Sequence, residues 1–322
     1  MSNRQRQLKW RSQWLWRRLK RLAYSKLYQD THRDLHKSIL VAGTARSGTT
    51  WLGDILAAQL NGRIMFEPFH ARKVKAFSHY HYFQYMRPNE ANEDLATYCQ
   101  RVFSGDIRDG WIDNYVEVRS PQYRIIKEIR ANLMLKWIQT HFPQVRQLFI
   151  IRHPCAVVLS RLTLNWDTDR DIEPFLSQSK LMKDFLEKKM DIITAATAPE
   201  EKHAVIWCVS NLIPLQQFQK GELQVLFYEN LCTQPEVEIS QLFQSMQLDY
   251  DDSLLDTLDI PSTTTIQTSA IITGDNRVNS WQNELSSQQI DRVLSIVQAF
   301  GLEYLYGDKT TPSHCCRYPN VI

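Results

Sequence analysis

Nothing in the sequence approaches about eighteen consecutive apolar residues, so no segment reads as a membrane-spanning helix. The N-terminus also lacks an uninterrupted apolar core, because arginines break it every few positions, and a secretory leader is not expected. Glycine is scarce, ten in 322 residues, and with 43% hydrophobic residues this excludes a disordered chain. The six cysteines, Cys99, Cys155, Cys208, Cys232, Cys315 and Cys316, follow no framework spacing. That excludes a disulfide scaffold and predicts free, mostly buried thiols in a reducing compartment. His314 to Cys316 form a short "HCC" run in a polar tail, which reads as tail rather than as a metal site.

Positive charge is unevenly placed. Residues 1–37 carry eleven Lys and Arg against Asp30 and Asp34, so a chain of net charge +3 has a mildly acidic body behind a basic arm. A nucleic-acid binder should carry its basic surface on the fold itself, so no nucleic-acid partner is expected. In the arm, Leu8, Leu15, Leu19 and Leu22 fall near one helical face, with Trp10, Trp14 and Trp16 around them. Such a helix either lies on an anionic membrane surface or docks on the body or another subunit. The chain thus divides into an arm over 1–37, a main domain over 38–310 and a tail over 311–322.

Within the main domain a strand-then-helix rhythm recurs. "SILVAG", "YRIIKEI", "VRQLFIIR" and "LQVLFYE" read as buried strands. "TTWLGDILAAQL", "ANLMLKWIQTHF", "PCAVVLSRL" and "EVEISQLFQSM" read as the helices that follow them. Continuous apolar strands alternating with helices predict a three-layer α/β/α domain with a central parallel sheet. "SSQQIDRVLSIVQAFG" predicts a C-terminal helix capped by Ser286 or Ser287 and ended by Gly301.

The first strand opens into "GTARSGTTW", with Gly43 and Gly48 at the spacing of a phosphate-binding loop. The lysine that an ATP-binding loop requires is missing. Thr49 stands in its place, and Arg46 is the loop's one cation. Backbone N–H groups at a helix start, the Thr49 and Thr50 hydroxyls and a guanidinium still make an oxyanion site. Ordinary ATP hydrolysis is not expected from it.

This loop resembles the 5′-phosphosulfate loop of the sulfotransferases that use 3′-phosphoadenosine 5′-phosphosulfate (PAPS). Two further segments strengthen the resemblance in the correct order: "FIIRHPCAVVLSR", with Arg152 and Ser160 eight apart, and "VLFYENLCTQPEVEISQLF". The resemblance implies a P-loop-like topology in which Arg46, Ser47, Gly48, Thr49 and Thr50 cradle the phosphosulfate and Trp51 lies near the adenine. It implies that Arg152 and Ser160 bind the 3′-phosphate, that Tyr228 supports the adenosine, and that Arg277 closes over the 3′-phosphate as a lid contact. The match around Arg277 is looser, since Gln282 follows Trp281 where relatives carry a basic residue. Trp51, Arg152, Ser160 and Arg277 also have plain readings as a core aromatic, an ion-pair member, a mid-helix polar residue and a surface arginine.

The phenol and steroid branch of that family carries a Lys-x-His base. Here Lys127 is kept but Ile129 falls at the histidine. "MFEPF" instead matches the carbohydrate branch, which implies Glu67 as general base and a carbohydrate or glycolipid acceptor. Burial beside Pro68 and Phe69 is expected to raise the Glu67 pKa, with Lys127 orienting the acceptor or stabilising the sulfuryl group together with Arg46. His70 is the fallback base, and the plain alternative for Glu67 is a carboxylate paired with an arginine. Transfer of a singly charged group demands no metal, and no acidic cluster is spaced to hold one. Tyr80, Tyr82, Phe83, Tyr85 and Trp111 are candidates to stack on sugar rings or to pack together. The expected location is the cytoplasm, with possible attachment at the membrane's inner face. The rival readings are a P-loop nucleotide kinase and an inactive nucleotide-binding adaptor.

Overall fold

Every residue of β1 (Ser38–Gly43) is buried, and its side chains divide strictly by parity. Ile39 and Val41 face one apolar cluster, while Leu40 and Ala42 face the other. A strand covered on both faces has no polar side to show, which is why its sequence is continuously apolar. The computed structural model describes residues 16, 19–251, 254–255, 277–306 and 310–312. The arm residues Leu8, Trp10, Trp14 and Leu15 and the "HCC" run lie outside them.

Five strands, all parallel, form one sheet: β1, β2 (Gly62–Phe66), β3 (Tyr123–Glu128), β4 (Arg146–Ile151) and β5 (Gln224–Phe227). Their spatial order is β2-β3-β1-β4-β5. Helix α1 (Thr49–Gln59) follows β1, and α2 (Glu93–Phe103) lies in the long connection between β2 and β3. After β3 come α3 (Leu135–His141), then α4 (Pro154–Thr163), α5 (Asp169–Leu176) and the long α6 (Pro199–Gln217). The chain closes with α7 (Tyr228–Thr233), α8 (Pro235–Met246) and α9 (Ser287–Phe300). One cluster gathers α1 and α8 against one face of the sheet, and the other gathers α2, α3 and α6 against the opposite face. This is the expected three-layer α/β/α fold.

The predicted strands and helices stand within a few residues of their expected bounds. Ser286 caps α9 with Gln289 completing a capping box, and Gly301 ends it at φ 78. The described cysteines Cys99, Cys155, Cys208 and Cys232 are free thiols.

Strand β2 was not among the expected strands, because Arg63 interrupts its apolar run. The structure accounts for that arginine. Arg63 is fully buried and bonds Asp113 at 2.8 Å and Asp30 at 3.1 Å. Its register partner Arg124 holds Asp30 through Nε at 2.9 Å and Nη2 at 3.0 Å. Tyr28 lies beneath the Arg63 guanidinium and donates its hydroxyl to Asp113 at 3.0 Å. The last residues of the arm are therefore built into the sheet's base. Farther out, residues 19–27 are helical and leave Leu19, Leu22 and Leu27 exposed, with Trp16 before them. Arg21 clamps this helix to Glu117 at 2.7 Å. No described helix is long and apolar enough to cross a membrane.

Candidate active site

In a parallel sheet every strand ends at the same edge, so whatever follows the five strands is brought together. Here that edge carries the Arg46 loop after β1, Glu67 after β2, Lys127 at the end of β3, Arg152 after β4 and Tyr228 after β5. The order places β1 at the centre, where the chain leaves first to one side and then to the other.

The loop is held by its own side chains. Ser47 shares a 2.5 Å hydrogen bond with Thr44, and both are buried, so Ser47 serves the loop's shape. Arg46 adopts φ 75 and Gly48 φ 98, a conformation that only glycine takes without cost. A Cβ on Gly48 would stand 2.6 Å from Tyr228 Cδ2, so the tyrosine ring packs directly on the loop. Gly48 caps α1 with no side chain to occupy the first helical N–H groups. Those donors, with Thr49 and Thr50 beginning the helix, are disposed toward an oxyanion.

The two anion sites expected from the sequence lie side by side. Arg46 Nε donates to Ser160 Oγ at 2.9 Å, and Arg152 Nη1 donates to the Arg46 carbonyl at 3.1 Å. Arg152 Nη2 reaches the Arg277 carbonyl at 3.2 Å, and the Arg152 guanidinium lies 4.4 Å over the Tyr228 ring. Burial and the nearby Arg152 charge both push the Arg46 pKa down. Two guanidiniums this close oppose each other unless an anion lies between them. Arg277 meets the site through its carbonyl, and its charge also acts on Tyr228 and Cys232. Trp51 is buried in the α1-side cluster with its ring edge-on to Tyr228 at 5.5 Å.

Arg152 is positioned from behind by groups that no single motif revealed. Trp207 on α6 donates to the Arg152 carbonyl at 3.0 Å. Glu229 accepts the His153 N–H at 2.9 Å and the Tyr306 hydroxyl at 2.7 Å, tying the end of β4 to the end of β5. The His153 ring stacks on Trp281 at 4.3 Å.

Across the β1 loop, Glu67 sits at φ 48 and is almost wholly buried. Lys127 Nζ meets its Oε1 at 2.5 Å and Arg130 Nη1 meets its Oε2 at 2.5 Å. This corrects the expectation of a raised Glu67 pKa. Burial does push it up, but Lys127 and Arg130 outweigh burial and hold it down at about 2. The arginine pairing that stood as the plain alternative is present, and its partner is Arg130.

Next to it, Glu128 is fully buried, and burial and the Glu67 charge raise its pKa to about 7. It accepts N–H groups from Phe69 at 2.7 Å, Ile129 at 3.1 Å and Arg130 at 3.3 Å, pinning the segments that bear Glu67 and Arg130. His70 accepts the Arg72 N–H through Nδ1 at 3.2 Å, and burial with the Arg130 charge depresses its pKa to about 3. With Nδ1 accepting, the neutral ring carries its proton on Nε2, so His70 is poorly placed to receive another.

The aromatic candidates divide by role. Tyr80 packs on Phe77, Phe83 stacks on Phe175, and Tyr85 donates to Asp184 at 2.8 Å, so these three serve the fold. Tyr82 borders the Glu67 site: Arg72 lies 3.8 Å over its ring, and its hydroxyl accepts from Arg130 at 2.5 Å. Trp111 reaches the same place against His70 and Phe66.

The family model described as the sulfotransferase family matches residues 38–252, about two thirds of the chain. The chain belongs to the sulfotransferase family. Among solved structures, this sulfotransferase is similar to the sulfotransferase domain from the curacin biosynthetic pathway, at 14% identity and TM-score 0.44, over 81% of this chain and 97% of that one. It is similar also to the sulfotransferase domain of the Synechococcus PCC 7002 olefin synthase, at 16% identity and TM-score 0.44, over 86% of this chain and 98% of that one. A mouse sulfotransferase complexed with PAP matches at 10% identity and TM-score 0.44, over 87% of this chain and 88% of that one. No curated protein matches the chain in sequence.

Proposed function

We propose that this sulfotransferase moves a sulfuryl group from PAPS to a hydroxyl of a carbohydrate or glycolipid acceptor, by in-line transfer without a metal. The observation that carries the reading is the pairing of Arg46 with Ser160 and of Arg152 with the Arg46 carbonyl. One nucleotide with a 5′-phosphosulfate and a 3′-phosphate supplies an anion to each guanidinium at once. The first N–H groups of α1 and Arg46 take the phosphosulfate. Arg152 and Ser160 take the 3′-phosphate, Tyr228 walls the adenosine side, and Arg277 closes over it.

The chemistry then needs little beyond positioning and charge. The acceptor oxygen forms its bond to sulfur as the bond from sulfur to the bridging oxygen breaks, and negative charge grows on that oxygen. Arg46 and Lys127 stabilise this charge, and Glu67 takes the hydroxyl's proton. Lys127 serves both ends: when it turns toward the sulfuryl oxygens, Glu67 loses one of the two cations that suppress its basicity.

Thermal unfolding with 3′,5′-ADP, the spent donor, beside ATP with and without Mg²⁺ tests the donor. The expected result is a midpoint raised by 3′,5′-ADP, since a ligand that binds only the folded state stabilises it by linkage. A rise with ATP·Mg²⁺ alone would instead favour a kinase. We further propose that the exposed row of Trp16, Leu19, Leu22 and Leu27, on a segment rich in Arg and Lys, contacts an anionic membrane surface from the cytoplasmic side. Co-sedimentation with vesicles containing 30% phosphatidylserine checks this, and binding unaltered by Leu19→Glu with Leu22→Glu would refute it.

A further inference from the structure

Arg161, the residue after Ser160 on α4, has no part in the roles above. The residue is only 3% exposed, yet its Nε and Nη1 atoms have no hydrogen-bond partner among the described residues. Trp166 lies 5.8 Å from the guanidinium, at the far limit of a useful cation–π contact. Asp171 is the carboxylate whose charge acts on it most, but Asp171 also faces Arg72 at 3.9 Å. Arg46 on the donor side and Arg130 on the Glu67 side both oppose it. Burial, with those two charges, lowers its pKa to about 10, which leaves it charged at neutral pH. His203 beside it is held neutral by burial and by the Arg161 charge. The Nε of Arg130 is likewise buried without a partner.

A buried guanidinium lacking acceptors is costly, and proteins keep such groups where something else supplies the acceptors. The donor's two anionic ends are already matched by the Arg46 loop and by Arg152 with Ser160. Arg161 stands between the two halves of the site: Arg46 opposes it from the donor side, and Arg130 and Tyr82 act on it from the Glu67 side, where Arg72 faces both Asp171 and the Tyr82 ring. Arg130 in turn grips Glu67, so an anion shared by Arg161 and Arg130 brings a neighbouring hydroxyl to the Glu67 carboxylate.

We propose that the acceptor carries an anionic oxygen group, a carboxylate, phosphate or sulfate, near the hydroxyl that is sulfated, and that Arg161 with Arg130 holds it. The inference rests on the transferase reading and specifies its acceptor. It makes Arg161 a specificity residue for an acidic sugar or a phosphorylated headgroup over a neutral one.

The test uses the full chain with Arg161→Met, which removes the charge at similar length, and Arg161→Lys, which keeps it. Each protein is saturated with 3′,5′-ADP and titrated calorimetrically with methyl glucuronide, glucose 6-phosphate and neutral methyl glucoside. The wild type is expected to bind the two anionic sugars at least about tenfold more tightly than the neutral one. Arg161→Met should erase that preference, Arg161→Lys should keep part of it, and affinities for 3′,5′-ADP and PAPS should be unchanged. The ligand-free Arg161→Met protein should melt no lower than wild type, because an uncompensated buried charge has been removed. A purely structural arginine would instead lower the midpoint in both variants, and that outcome overturns the proposal. So does equal binding of anionic and neutral sugars, weak or strong, by a protein that binds 3′,5′-ADP. Selective loss of PAPS over 3′,5′-ADP in Arg161→Met would assign the residue to the donor's sulfuryl group and equally overturn it. Failure of 3′,5′-ADP to bind wild type removes the transferase reading itself, and this inference with it.

Discussion

Glu67→Gln is expected to lower turnover by about 10²- to 10⁴-fold, the range that general-base catalysis contributes, while leaving 3′,5′-ADP affinity unchanged. Glutamine keeps the shape of the side chain but cannot take a proton, and it no longer balances Lys127 and Arg130. Some loss of stability must accompany it, since both cations are buried against this carboxylate. Assays well below the melting midpoint separate the two effects. Full turnover in a folded, nucleotide-binding variant would reduce Glu67 to a counter-ion. The pH profile gives a second reading. A carboxylate held at about 2 stays ionised far below neutrality, so Glu67 puts no acid limb on kcat/KM between pH 8 and pH 5. If Lys127 shifts to the sulfuryl group in the bound complex, kcat should show its acid limb at a higher pH than kcat/KM does. The same depression makes the pairing stabilising above the unfolded carboxylate range near 4.5, a contribution lost as pH falls toward 2. Glu128 has the opposite sign: its raised pKa favours the folded state most below about 4.5, and the benefit fades as pH rises through about 7.

The turn from Gly43 to Gly48 and its flanking strand were legible because they follow local rules, an apolar run closed by glycines at fixed spacing and then a helix start. Arg152 and Ser160 stood out through the resemblance to a family motif, and the structure brings both against the Arg46 loop. What escaped notice depends on pairing across long separations. Arg63 reads as a break in β2 until Asp30 and Asp113 stand beside it, and they lie 33 and 50 residues away. Helix α6 buries most of its length and contains Pro214, so no apolar stripe announces it. Glu67 lies 60 residues from Lys127 and 63 from Arg130, and the sign of the Glu67 shift follows from its meeting with both. Arg161 looks like any helical arginine next to a serine. Its burial without hydrogen-bond partners is visible only in three dimensions.

Asp30→Ala is expected to destabilise the protein by about 3–5 kcal/mol, the usual cost of removing one partner from a buried ion pair. Arg63 and Arg124 are register neighbours on β2 and β3, and both are buried, at 0% and 1% exposure. Asp30 lies between them and accepts from both. Without it, Arg63 still has Asp113, but Arg124 keeps only the Ser38 hydroxyl and the carbonyls of Asp34 and Phe103. Two adjacent guanidiniums would then repel each other in a medium that screens them poorly. For a chain of this length the loss corresponds to a melting midpoint lower by roughly 5 °C, with entropy of unfolding scaled by residue number. Asp30→Asn, which keeps the shape and one acceptor, should lose less. The consequence reaches function because β2 and β3 deliver Glu67 and Lys127 from their far ends. A small shift between those strands separates a pair now 2.5 Å apart, and misplacement by about 1 Å can cost 10²-fold in rate. Asp30→Ala assayed below its midpoint should therefore turn over more slowly than wild type while binding 3′,5′-ADP normally, since the loop after β1 and the end of β4 do not touch it. A midpoint within 1 °C of wild type would mean that the buried network contributes nothing, and the link from the sheet's base to the catalytic edge would fail with it.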